Sequence, residues 1–402
     1  MELLEKDYAH WLSNVPGIGN KTLIALTQSG MTCKEAYTAS AKELSAILSQ
    51  KQRTSLEKSR LEWNFEQEKK KLEEKQVRFV SILDPEYPDK LRHIPDQPFG
   101  LYVKGELPDP KVPSVAIIGA RMCSDYGRYM ARQFGRGLAL SGVQVISGMA
   151  RGIDGLAQHA ALSAGGKSFA ILGGGVDICY PEENRDVFEA LPENGGLISE
   201  FPPGVQPISR FFPMRNRIIS ALSDILLVVE ARQKSGTSIT VDTALEQGRE
   251  VLAVPGRVTD RLSDGCNYLI SQGAGVAISV EDVLERLWQV SGGGYSPANK
   301  SSEGEKKACN GITGMKTANE SENDSPEIIE DCETADSPHH EPTMEDDILG
   351  IVDIIPVSTS FILEELYKKG RDTTVPTLMT TLMDMTCKGQ IAQNGAYYRR
   401  IS

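Results

Sequence analysis

The groups best placed to do chemistry are clustered arginines, glycines and phenylalanines. Ser209-Arg210-Phe211-Phe212-Pro213-Met214-Arg215-Asn216-Arg217 brings three arginines and two adjacent phenylalanines together. Guanidinium groups pair with phosphate oxygens, and an aromatic ring stacks on any nucleobase for about 1–3 kcal/mol. The plainer reading makes Phe211 and Phe212 core residues under a loop, which suits one of them in a chain poor in aromatics. Lys234-Ser235-Gly236-Thr237 follows an apolar run ending Glu230-Ala231 and offers a cation, hydroxyls and a flexible backbone. Its plain alternative is an ordinary helix start.

Three further segments share this character. They are Gly119-Ala120-Arg121 with Ser124 placed to cap a helix, Gly148-Met149-Ala150-Arg151-Gly152-Ile153-Asp154, and Gly173-Gly174-Gly175. Each closes a short apolar run. Glycine lets a backbone approach a ligand closely, and N–H groups at helix starts attract anions. Tight strand-to-helix turns alone would also use glycine. Three such ends, two followed by arginine, point to a phosphate-binding edge at Gly119, Arg121, Arg151, Gly173 and Gly174.

The elements that must position these groups are legible as short apolar runs. They are VAIIG (115–119), VQVISG (143–148), FAILGGG (169–175), GLISE (196–200), ILLVVEA (225–231), VLAVPG (251–256) and GVAIS (275–279). Strands buried on both faces read this way, and their alternation with helical segments predicts a parallel sheet. The fold class is therefore α/β, a Rossmann-like doubly wound parallel sheet. Ligands of such sheets bind at the carboxyl ends of the strands. Arg128, Arg132 and Arg136 recur every four residues and read as a solvated helix face.

Other chemistry has little material. There are five histidines, and His159 has no second ligand near it in sequence, so it reads as structural. The seven cysteines are scattered with no C-x-x-C pair, which argues against a zinc site or disulfide framework and suits a reducing cytoplasm. No cofactor or metal is expected. G-x-S-x-G, G-x-x-x-x-G-K-[ST] and a strand-linked G-x-G-x-x-G are all missing, so a serine elbow, a P-loop and dinucleotide binding lack support. No apolar run reaches 18 residues and the start MELLEKDYAHW lacks an apolar core, so neither a membrane span nor a secretory leader is expected.

The net charge of −12 is unevenly spread: −7 over 291–342, −2 over 343–402 and −3 over 1–290. Acidity is thus concentrated in one polar segment rich in Ser, Gly, Asn, Glu and Pro, which reads as a disordered linker. Residues 1–75 lack strand signals and read as a small all-helical domain, with one long polar helix from about Ala41 to Gln76. Residues 76–290 form the sheet domain. Residues 343–402 read as helices Asp346–Ile354, Ser360–Lys369 and Pro376–Lys388, then a hairpin turning at Asn394-Gly395, the pattern of a winged helix. Its third helix has one lysine, one aspartate and three methionines. That is poor material for phosphates and better suited to packing or protein contact.

The sheet segment closely resembles the DNA-processing protein A (DprA, or Smf) family. The resemblance rests on IIGAR with Ser124 and Tyr126-Gly127, SGMARGID, ILGGGVDICYPEEN, ISEFPPG, FPMRNRIISALSD, VVEARQKSGTSIT, and VPGRV followed by DGCNYLI. It implies a single-stranded DNA-binding protein without catalytic turnover. Such a protein protects incoming DNA in natural transformation, loads the RecA recombinase, and works as a homodimer through the Rossmann-like domain. Carried over by position, Arg121 matches the arginine after the family's first strand, and Phe212 its base-contacting aromatic. Arg215, Asn216 and Arg217 match its RNR motif, and Lys234, Ser235 and Gly236 its KSG motif. The chain departs at Gln158-His159, where the family usually has Ala-His one residue earlier, moving the imidazole by about 100° around the helix. Pro16-Gly17-Ile18-Gly19, beside Lys21, resembles a helix-hairpin-helix turn that either holds a phosphate or is purely structural. The alternative function is a nucleotide phosphoribohydrolase of related layout. Thr240 stands where such enzymes carry the glutamate of their loop, which leaves glycosidic hydrolysis without its acid/base.

Overall fold

The computed structural model describes residues 3–290, 343–352, 357–368, 371, 373–394 and 397–400. The segment read as a linker, 291–342, lies outside them. Packing divides the chain into two units, Met1–Ala298 and Asn299–Ser402.

The first unit opens with α1 (Glu5–Ser13), α2 (Asn20–Gln28), α3 (Cys33–Thr38), α4 (Ala41–Leu44), α5 (Gln50–Glu62) and α6 (Phe65–Glu74). The long helix expected over 41–76 is thus three. Ser49 caps α5 by accepting the Gln52 N–H while Gln52 bonds back, and Asn64 caps α6 by accepting the Gln67 N–H at 3.0 Å. These are capping signals that stop one helix and start another. Trp11 is fully buried at the centre, and its indole N–H donates to Ser59 at 3.0 Å. These helices pack on the sheet, since Phe99 lies in their core and Asn14 donates to the Tyr102 hydroxyl at 2.8 Å. Contacts therefore bridge the boundary expected near residue 76.

The sheet part runs β1 (Arg78–Ser81), α7 (Asp89–Arg92), β2 (Gly100–Gly105), β3 (Ser114–Ile118), α8 (Asp125–Leu140), β4 (Gln144–Ser147), α9 (Ile153–Ser163) and β5 (Ser168–Ile171). It continues through α10 (Arg185–Ala190), β6 (Gly195–Ser199), α11 (Phe211–Leu222), β7 (Ile225–Val228), α12 (Gly236–Glu246), β8 (Glu250–Ala253), α13 (Asp264–Ser271), β9 (Gly275–Val276) and α14 (Val280–Val290). The nine strands lie in the order β1-β2-β6-β5-β4-β3-β7-β8-β9. β1 and β2 pair antiparallel, as do β2 and β6, and every other pairing is parallel.

Each predicted run forms a strand, and those from β3 to β8 do so because both of their faces are covered; β9, at the sheet edge, leaves Val276 47% exposed. In β3, Val115 and Ile117 pack against α8 and α9, while Ala116 and Ile118 pack against α11 and α12. Helices therefore cover both faces. The chain moves outward one way from β3 to β4, and the other way from β3's opposite neighbour β7 to β8. The β3 carboxyl end is thus the switch point of the sheet, where a crevice must open. Among the described residues no helix is long and apolar enough to cross a membrane.

The second unit holds α15 (Met344–Ile351), β10 (Val357–Ser358), α16 (Thr359–Lys368), α17 (Val375–Cys387), β11 (Ile391–Asn394) and β12 (Tyr397–Arg400). Its strands order β10-β12-β11. Asn394 pairs with Tyr397, and Gly395 of the expected Asn394-Gly395 turn lies outside the described residues. The methionines of α17 divide: Met385 is core beside Leu378 and Leu382, whereas Met383 is 61% exposed.

Candidate nucleic-acid interface

A cleft of about 620 Å³ opens at the switch point. Its floor and walls come from the chain just after β3, β4 and β7, and from the starts of α11 and α12. Gly119, Arg121, Phe212, Arg215, Asn216, Ser235 and Gly236 all line it. Segments far apart in sequence thus converge there, whereas Gly173 and Gly174 of the third strand end are not among the lining residues.

The expected open amides are only partly available. Glu230, buried at the end of β7, accepts the Ser124 N–H at 2.9 Å and the Ser124 hydroxyl as well. Its carboxylate therefore occupies the anion position at the start of α8. Asp154 accepts the Gly148 N–H at 3.1 Å, and Gln158 accepts the Met149 N–H at 3.0 Å while donating to the Phe169 carbonyl. The departure at Gln158 is thus a buried structural link between β4 and β5. His159 lies outward, 3.4 Å from Asp186. Gly119 sits against Ile153 and the Glu230 carbonyl, so its missing side chain serves packing. Gly174 packs against Val205 and Pro207. The start of α12 differs, because Ser235 makes no side-chain cap and Gly236 is exposed with open space around it.

The arginines separate into two kinds. Arg121 is exposed, and its guanidinium lies 5.2 Å from the centre of the Phe212 ring. Arg215 is buried, donates to the carbonyls of Gly148 and Ile171, and lies 5.9 Å from the same ring. Its guanidinium covers Gly148 so closely that a Cβ there would collide with it. Burial pushes the Arg215 guanidinium down to about 10, with Asp154 pulling the other way. Burial also raises the Asp154 carboxyl, against the pull of Arg215 and the Gly148 amide.

Arg217 corrects the sequence reading. It is buried, bonded to Glu200 at 2.6 Å and Asp96 at 3.0 Å, and absent from the cleft lining, so it braces α11. Arg151 also lies outside the cleft lining, paired with Glu183 at 2.7 Å on the surface. Lys234 is exposed next to the lining residues Ser235 and Gly236.

Phe212 is half-buried, with Gly173 against its edge. Tyr180 stacks on it at 5.7 Å and 25°, and is itself 49% exposed. The accessible ring is therefore Tyr180, backed by Phe212. Sequence reasoning missed Tyr180 and the exposed, cleft-lining Arg232. Their signals were present: Tyr180 follows the third glycine strand end, and Arg232 stands two residues before Lys234.

A family model for DNA recombination-mediator protein A matches residues 78–288. The chain belongs to that family. Over 204 residues it is 43% identical to the DNA processing protein DprA of Streptococcus pneumoniae, covering 51% of this chain and 72% of that protein. It is 40% identical over 280 residues to Protein Smf of Escherichia coli, covering 69% of each. Among solved structures it is similar to DprA from Streptococcus pneumoniae, with a TM-score of 0.61, 32% identity, and coverage of 71% of this chain and 98% of that one. The matched span of the DNA recombination-mediator family contains every residue of the cleft.

Proposed function

We propose that this member of the DNA recombination-mediator family binds single-stranded DNA in the switch-point cleft and hands it to RecA, without catalytic turnover. One observation carries the reading. An exposed arginine, Arg121, and an exposed aromatic, Tyr180, both pack on the Phe212 ring, in the cleft that the uncapped start of α12 also lines. A base stacks on Tyr180, and Arg121, Lys234 and Arg232 meet the flanking phosphates with Ser235 and Gly236. Stacking accepts any base, so sequence preference is weak. Phe212, Arg215 and Asn216 build the floor, while Gly119 and Gly173 let Ile153 and the Phe212 ring pack close behind it.

Absence of turnover is supported by the lining, in which Asp154 is the sole acidic residue and is held by backbone amides. The hydrolase alternative would need an accessible carboxylate, and Thr240, at the position of its glutamate, is buried in α12. The family supports a mediator role. A homodimer through the Rossmann-like sheet domain, RecA as recipient and a cytoplasmic setting complete the proposal. Residues 343–402 form a winged helix in this reading, used for packing or protein contact. The sole lysine on or next to α17, Lys388, is engaged with Glu345 and Asp384.

The test is a gel-shift with single-stranded and duplex DNA over a range of salt. With about four phosphates engaged, the single-strand log–log salt slope is near −3. Arg121→Glu abolishes this binding without changing the melting temperature. Equal affinity for duplex, or binding indifferent to Arg121→Glu, overturns the reading. Removing residues 291–402 leaves single-strand affinity within about tenfold at matched salt.

A further inference from the structure

We propose that a strand leaving the cleft continues over a second stacking platform, Phe201 and Phe211 flanked by Arg210, toward Lys21 of the N-terminal helices. This rests on the cleft reading above. Phe201 and Phe211 stack with centroids 4.0 Å apart and planes 29° apart. The Arg210 guanidinium lies 5.2 Å over Phe211. Both rings are half-buried, and neither belongs to the sheet cores or the helical core. A stacked aromatic pair outside every core keeps part of its apolar surface in water, which a planar ligand covers favourably.

The position of the pair makes the ligand a continuation of the same strand. Phe211 directly precedes Phe212 at the start of α11, so the two platforms adjoin. On the other side, Phe201 follows Glu200, and the Asn20 side chain donates to Glu200 at 2.8 Å. Lys21 is the next residue. Lys21 and Arg210 are exposed and have no ion pair among the described residues. The acidic groups close by, Glu200 and Asp96, are both held by Arg217, which reduces their repulsion of phosphate.

The experiment uses the full chain and oligothymidylates of about 6 and about 20 nucleotides, the shorter spanning the cleft alone. Two variants are compared with Arg121→Glu: Lys21→Glu with Arg210→Glu, and Phe201→Leu. The charge double variant weakens the long oligonucleotide and lowers its salt slope by about 1.4, the value for two phosphates, while leaving the short one bound as before. Phe201→Leu weakens only the long oligonucleotide, by about fivefold or more. Unchanged binding of the long oligonucleotide, or equal loss on both lengths, overturns the second platform. Intact binding of the short oligonucleotide by Arg121→Glu overturns the cleft reading instead. The two failures are thus separable.

Discussion

Glu230 binds Ser124 across the switch point: its buried carboxylate accepts both the backbone N–H and the hydroxyl of a residue 106 positions earlier. The chain thereby fills, with its own side chain, the helix-start anion position that nucleotide-binding sheets of this kind leave open. Glu230→Ala removes a charged hydrogen-bond acceptor and costs about 2 kcal/mol in urea unfolding. Because it also vacates the start of α8, sulfate raises the melting temperature of the variant more than that of the wild type. Equal sulfate responses would show that the carboxylate does not occupy an anion position.

Tyr180 and Phe212 separate in mutational tests. Tyr180→Ala loses about 1–3 kcal/mol of single-strand affinity and keeps its melting temperature, since the ring is half exposed. Phe212→Ala loses affinity and also stability, because Tyr180, Arg121 and Arg215 all rest against that ring. Parallel binding and melting measurements decide the matter. A folded Tyr180→Ala protein with wild-type affinity would move the stacking role elsewhere.

Arg217 is expected to matter for folding and not for DNA. Arg217→Ala leaves Glu200, whose side chain is only 9% exposed, without its cation. Removing one partner of such a pair costs about 3 kcal/mol. Urea midpoints should fall, while protein that remains folded keeps the wild-type salt slope. A reduced slope with normal stability would place Arg217 on a phosphate.

His10 confers a pH dependence on the N-terminal helices. Burial against Trp63, Phe79 and Tyr102 pushes its imidazole from 6.5 down to about 4, with Glu68 and Asp7 opposing. The unfolded chain therefore takes up a proton near pH 6.5 that the folded chain refuses until about pH 4. Stability is full above pH 6.5 and is lost as pH falls toward 4, by about 2 kcal/mol between pH 7 and 5. Urea unfolding at the two pH values measures the loss, and His10→Phe removes this part of it.

The inner parallel strands were legible because they are buried on both faces and read as continuous apolar runs, as in VAIIG and ILLVVEA. The division of the 41–76 stretch was equally present in Ser49-x-x-Gln52 and Asn64, but a uniformly polar run masked those caps. Arg215 and Arg217 were the harder case. Both lie in one Arg-Asn-Arg motif, and both are cations by type. Only burial shows that one is spent on carbonyls and the other on carboxylates.

Sequence alone determined the α/β class, the seven glycine- or turn-ended strands, the family, and the set of loops that would meet at one sheet edge. These depend on local composition and on order along the chain. Tertiary structure decided which members of that set face the cleft. Two helix-start positions expected to be open are occupied by Glu230 and by Asp154 with Gln158, and Tyr180 shields Phe212. A side chain's availability depends on what distant segments place against it. Glu230 and Ser124, 106 residues apart, meet only because β3 and β7 are neighbours in the folded sheet.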